Sequence, residues 1–365
     1  MKNKISFFLL ITFSMLFSQT ANAKSSVNRN ADTIKVKVAV VYEDPVLSEY
    51  GGKRMHECFR TPNVKQRIWN NPIRLSSDYK AALEEVSSHV VCYEIVEEIQ
   101  ANHFFTYLKN DPLKRHLTED QIAVLLSEPD WKTLKEIGTS YDYDAMVKYY
   151  GFDKKRDNNE INEVWVWTFP YGGMYESHMM GKGAFWLNSD PDSTSTCIEL
   201  LSIMGLNYER DLACALESYG HRFESTMMQV YGWWAYENKQ KISELTNWER
   251  FAGYIKNYDK FNTGKSHIGN IHFPPNGEFD YNWKNDKKVL SYADEWYNYP
   301  NIKEKKARLI NCEEWNCDHL GYMKWWFSHI PHFKGINPND GKLNNWWYYV
   351  VNYNEALRME NQLKK

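Results

Sequence analysis

EVWVWTFPYGGMYESHMMGKGAFWLNS, spanning Glu163 to Ser189, opens as a strand and then breaks. Val164-Trp165-Val166-Trp167 is β-branched and aromatic throughout, the composition of a strand covered on both faces. Pro170 and the pair Gly172-Gly173 end it. Four side chains able to exchange protons or hydrogen bonds follow at once: Tyr175, Glu176, Ser177 and His178. A buried strand that delivers polar residues into a glycine-rich loop is how open α/β sheets build sites at the carboxyl ends of their strands. The same pattern fits a surface turn with solvated side chains.

The flanking chain supports a sheet. Ile34–Tyr42 (IKVKVAVVY) alternates and then turns continuously apolar, as a strand does on entering a covered sheet, and Glu43-Asp44-Pro45 ends it. His89–Val96 and Cys197–Met204 read as further strands. Between them the periodicity predicts helices over Ser77–Ser88, from Thr118 (a capping-box start) and over Asp142–Tyr150. The longest helix is expected over Tyr208–Tyr231, with Leu212, Ala215, Leu216, Tyr219 and Phe223 facing the core. Gly220 within it implies close packing or a kink. Alternating helices and strands predict an α/β fold with a mainly parallel sheet flanked by helices. After residue 232 aromatics, asparagine and proline crowd the chain, which predicts a long loop-rich region laid over the edge of the site.

Residues 1–23 carry two lysines, an apolar middle and Ala21-Asn22-Ala23, the pattern of a cleaved signal peptide, so a secreted or periplasmic protein is expected. A flexible lead-in over 24–33 and a single domain over 34–365 complete the organisation, the latter divided into a core (34–232) and the aromatic region (233–365). No later run is long and apolar enough for a membrane span. With 44 basic against 47 acidic residues, nothing points to nucleic acid as a partner. Of the six cysteines only Cys312 and Cys317 are close enough in sequence to suggest a local disulfide; Cys58, Cys92, Cys197 and Cys214 equally fit small buried hydrophobes. The 15 Trp and 25 Tyr suit the CH faces of sugars as well as a large core.

Candidate chemistry falls in four clusters: Tyr175, Glu176 and His178 with Asn188; His221, Arg222 and Glu224; Asn270, His272 and Asn276, followed by Asp280, Tyr281 and Trp283; and Trp325-Trp326 with His329 and His332, which fits a packed helix end better than a metal site. Glu217, His221 and Glu224 share a helical stripe with metal-ligand spacing, but an ordinary salt-bridge face has that spacing too. A divalent metal and no cofactor at all both remain open. There is no phosphate loop, dinucleotide fingerprint or serine elbow. Two reactions fit. In β-elimination from a uronic acid, Tyr175, His178 or His272 would serve as base or acid, while Arg222 and Asn188 neutralise the carboxylate. In glycoside hydrolysis, Glu176 and Glu224 would be the carboxylate pair, with Asp280 as substitute. A non-catalytic glycan-binding protein is the alternative from another class, and a metallohydrolase acting on peptide is the weakest fit.

EVWVW-x-x-PYGG-x-YES, GHRFES, GN-x-HFPPN and WW-x-x-H-x-P resemble motifs of a group of exported bacterial proteins over roughly Ile34 to Tyr349. That resemblance implies export and brings no activity with it. The leader and the Lys/Asn-rich composition also look like those of marine Bacteroidetes, whose exported proteins often serve polysaccharide utilisation. Ulvan lyases and oligosaccharide dehydratases belong to that setting. The resemblance implies an oligo- or polysaccharide substrate and favours elimination over hydrolysis.

Overall fold

Ile34–Tyr42 (β1), Val91–Gln100 (β2), Glu163–Thr168 (β3), Ser177–Met180 (β4) and Leu201–Asn207 (β5) form one five-stranded sheet in the order β2-β1-β3-β5-β4. The first four of these neighbours run parallel, and β4 closes the far edge antiparallel to β5. The computed structural model describes residues 31–62, 68–232, 245–253, 255–257, 260–261 and 267–364; the expected leader and most of the lead-in lie outside them. Among the described residues no helix is long and apolar enough to cross a membrane.

Every residue of β3 is buried, as its unbroken apolar composition requires. Its alternation divides the core. Trp165 and Trp167 face helices Pro72–Val86 (α1) and Leu212–Tyr231 (α4), meeting Tyr79 with ring centroids 4.9 and 5.8 Å apart. Val164 and Val166 face the other way, into a smaller cluster with Met146 and Val147 of Tyr143–Tyr150 (α3), which follows Glu119–Ser127 (α2) in the chain. The larger core runs on into the C-terminal part of the chain. Trp326 of His319–Ser328 (α5) and Trp347 of Trp346–Val351 (α6) pack edge-on against Phe223 of α4.

Several boundaries differ from the sequence reading, each for a local reason. Helix α1 starts at Pro72 rather than Ser77, because the Asn71 side chain caps it by accepting from the Ile73 and Arg74 amides and Pro72 fits the first turn. The strand expected at Cys197 begins at Leu201, since Asp157 takes the amides of Ile198 and Glu199 and keeps them off the ladder. The first parallel neighbour, β2, runs on to Gln100, and α4 starts at Leu212 behind its cap Asp211. The expected polar loop at Tyr175–His178 is partly a strand: Ser177 and His178 pair with Met204 and Ile203 on β5. Cys312 and Cys317 form a disulfide, and the other four cysteines are free thiols.

Two buried acids anchor the sheet. Glu163, fully buried at the start of β3, meets Arg222 of α4 at 2.7 Å, and Arg222 donates onward to the Val350 carbonyl at 2.7 Å. Glu43, just past the end of β1, accepts from Thr168 at 2.6 Å and from Tyr141 at 2.9 Å. Burial pushes its carboxyl up to about 7, against the pull of those two hydroxyls.

Removing one partner of the buried ion pair leaves a bare charge, so Arg222→Ala is expected to cost about 3–5 kcal/mol in denaturant unfolding. The paired replacement Glu163→Leu/Arg222→Met should cost less than the sum of the two single changes, and strict additivity would show that the charges act independently. For Glu43 the folded state holds its proton more tightly than the unfolded chain does. Unfolding therefore releases that proton between about pH 4.5 and 7, and stability falls as pH rises through this window. The expected loss is about 3 kcal/mol. In Glu43→Gln, unfolding measured across that range should lack this component; an unchanged pH slope would show that Glu43 does not titrate there.

Candidate active site

The chain leaves β3 at Thr168, crosses the carboxyl end of the sheet through Phe169–Met174 and returns as the edge strand. Gly173 makes this crossing possible: its φ is +82°, and a Cβ there would lie 2.5 Å from the backbone of Ser140. Between this crossing, the end of β5 and the first turns of α4 lies a cavity of about 400 Å³, at the sheet edge where open α/β folds bind ligands. Glu176, Glu217, Ser218 and Tyr281 open onto it.

Behind Glu217 and Tyr281 a cluster of imidazoles converges from three separate parts of the chain. Helix α4 contributes Glu217, His221 and Glu224 on one stripe; the segment before Pro274 contributes His272; α5 contributes His319 at its first turn. His221 Nδ1 lies 3.1 Å from Glu224 Oε2, and His272 Nδ1 lies 3.1 Å from Asp280 Oδ1. The two Nε2 atoms face each other at 3.1 Å. Glu217 Oε1 lies 3.3 Å from His272 Nε2 and 4.0 Å from His221 Nε2, while its Oε2 meets His319 Nε2 at 3.1 Å. The Tyr281 hydroxyl is 3.0 Å from His272 Nε2. Trp283 stacks on His319, ring centroids 3.8 Å apart.

These contacts separate the carboxyls electrostatically. Burial raises Glu176 above the usual carboxylate range. Burial also acts to raise Glu217, but hydrogen bonds from His272 and His319 outweigh it and hold Glu217 well below that range. For His221, burial favours the neutral ring, yet the Glu224 carboxylate dominates and lifts it to about 9. Burial raises the Tyr281 phenol, so it is a proton donor at neutral pH. Two groups bring their ligand atoms within 4.8 Å of one another and could hold a metal: Glu217 with His221 and His272, and Cys214 with Glu217 and His319. Burial pushes the Cys214 thiol up to about 11, which favours the thiol over the thiolate a metal would need.

No family model matches this chain, nor does any curated protein or solved structure. The site is therefore read from its own geometry. Of the residues singled out from the sequence, Glu176, His221, Glu224, His272 and Tyr281 come together, and Asn188 joins them by donating to Glu176 at 2.5 Å. Glu224 works as a support: one oxygen holds His221 and the other accepts from the Ile271 amide. Trp283 likewise backs His319. Tyr175 is exposed, with its amide bonded to the Tyr143 hydroxyl.

The structure places four of the expected residues away from this cluster or in structural contacts. His178 lies on the opposite face of the sheet, stacked on Tyr143 at 4.1 Å and bonded to Ser189, because strand pairing turns it away from the cavity. Arg222 is committed to Glu163 in the core. Asn270 builds a turn by accepting from the His272 and Phe273 amides, and Asn276 spans its loop by donating to the carbonyls of Asn285 and Lys287. His329 donates to the Trp325 carbonyl at the end of α5, as expected of a packed helix end. Sequence reasoning missed His319 altogether. Its only local signal is the Asp318 cap, which marks a helix start and says nothing of a site.

Gly220 sets how closely the His272 segment approaches α4. A Cβ there would lie 2.2 Å from Ile271 Cδ1, and Ile271 is fully buried. Gly220→Ala should gain up to about 1 kcal/mol of helix propensity and lose about 1–3 kcal/mol to overpacking. A net loss in denaturant unfolding is expected; a variant as stable as the parent would show that the segment yields freely.

Proposed function

We propose that this protein is a secreted or periplasmic carbohydrate-active enzyme that performs β-elimination on a uronic-acid-containing poly- or oligosaccharide. The observation that carries the reading is the meeting of Glu176 and Tyr281 on the wall of one cavity, backed by His221 and His272. Elimination needs a base for the proton beside the carboxylate, an acid for the departing oxygen and positive charge on the carboxylate itself. Glu176, made more basic by burial, takes the C5 proton. The C5–H electron pair forms the C4–C5 double bond as the C4–O bond breaks, and Tyr281 delivers its proton to the leaving oxygen. Positive charge comes from the imidazole cluster, in the place first assigned to Arg222. Tyr171 and Tyr281 are partly exposed on the cavity wall and offer ring faces to a sugar. In this reading the aromatic region after residue 233 roofs the site edge through Tyr281, Trp283 and His319. The leader and the resemblance to exported proteins of polysaccharide utilisation point the same way.

Glycoside hydrolysis is the second reading, favoured by the opposite shifts of Glu176 and Glu217 on one cavity, the pattern of a general acid beside an ionised carboxylate. Incubation of the purified chain with uronate oligosaccharides separates the two. Elimination produces the ultraviolet absorbance of a 4,5-unsaturated uronate, whereas new reducing ends without that absorbance mean hydrolysis. Glu176→Gln and Tyr281→Phe should each slow product formation by about 10²–10⁴-fold. Full activity in either variant would remove that residue from the chemistry.

A further inference from the structure

We propose that Glu217, His221 and His272 form a binding site for one divalent transition-metal ion of the zinc type. Carboxylates accept hydrogen bonds and cannot donate them, so Glu224 and Asp280 assign the proton of each neutral ring to Nδ1. Both Nε2 atoms then carry lone pairs, and they face each other at 3.1 Å with the carboxylate Oε1 of Glu217 alongside. In that neutral form three electron-pair donors aim into one small volume and repel unless a proton or a metal cation lies among them. Protons fill this place in the metal-free chain, and a metal ion displaces them.

The spacing suits a metal ion. Tetrahedral coordination with bonds of about 2.0–2.1 Å places ligand atoms roughly 3.3 Å apart. The observed separations are 3.1, 3.3 and 4.0 Å. Each ligand also has its own partner holding it in orientation: Glu224 behind His221, Asp280 behind His272 and His319 behind Glu217. Carboxylates behind metal-binding imidazoles fix the tautomer and strengthen the ligand. Two imidazole nitrogens and one carboxylate suit zinc and its neighbours, whereas magnesium and calcium prefer all-oxygen sites. Three protein ligands leave a coordination position open, and Glu217 and Tyr281 join the cluster to the cavity. This inference rests on the donor geometry and stands apart from the glycan reading. If both hold, the ion is the positive charge that meets the uronate carboxylate.

The test uses the full chain, stripped with chelator and titrated with zinc chloride by calorimetry, with metal content measured after gel filtration. One ion per chain with Kd below about 1 µM is expected. Glu217→Gln, His221→Ala and His272→Ala should each weaken binding by about 100-fold or more. Glu224→Gln keeps the side-chain shape and the Ile271 contact, and should weaken it by about 10-fold. Cobalt(II) in place of zinc should give visible d–d bands that are absent in His272→Ala. Failure of the folded wild-type chain to bind zinc or cobalt stoichiometrically overturns the proposal, as does binding unaffected by all four substitutions. A zinc-loaded chain that yields no unsaturated uronate overturns the glycan reading and leaves the site standing. Elimination that persists without bound metal leaves the glycan reading standing and removes the ion from its chemistry, while the site itself is decided by the binding titration.

Discussion

The carboxylate of Glu163 and the guanidinium of Arg222 meet where β3, the long helix and the C-terminal helices come together, and neither is exposed to water. Arg222 also holds the Val350 carbonyl and lies over the Tyr219 ring, with its central carbon 5.2 Å from the ring centroid. Two opposite charges buried in a core dominated by tryptophan have one satisfactory arrangement, because moving either away leaves the other bare at a cost of several kcal/mol. The pair therefore sets which side of α4 lies on the sheet and how far along β3 it sits. Hydrophobic contact alone would leave that rotation less determined, since apolar side chains tolerate repacking.

The orientation of α4 decides where its other polar residues go. Glu217 and Glu224 sit five before and two after Arg222, roughly 140–160° around the helix from it. With Arg222 turned into the core they point to the opposite side, where the His272 segment and the start of α5 arrive. Gly220 lets Ile271 pack directly against the helix, and the Ile271 amide donates to Glu224. One helix thus does two jobs: its inner face is locked by a charge pair, and its outer face gathers imidazoles from distant parts of the chain.

Much of this was legible in the sequence because it is local. The composition of β3, the apolar run of β1, the capping box at Thr118 and the periodicity of α4 each depend on neighbours within a few residues, and each element exists as expected. Asn71 shows the limit. Its capping bonds move the start of α1 by five residues, and nothing in the apolar periodicity reports them. The site was half legible. His221, Glu224 and His272 stood out by residue type, and Gly220 correctly signalled a close approach. The roles of Arg222 and His178 depended on which face each presents, and that is settled by partners 59 and 35 residues away, Glu163 and Tyr143. His319 reaches Glu217 from about 100 residues further along the chain, a distance over which single-sequence patterns carry no signal.

The site and the fold solve the same electrostatic problem in different ways. In the core, one carboxylate and one guanidinium balance each other, and the pair is sealed by tryptophan and tyrosine rings. On the outer face of α4 the carboxylates of Glu217, Glu224 and Asp280 are interleaved with imidazoles, whose charge is conditional. Placed beside a cavity at the carboxyl ends of the strands, conditional charge has a use: it can meet an anionic substrate group or accept a metal ion. The core pair thus frees the outer face of α4 to carry groups whose charge can change.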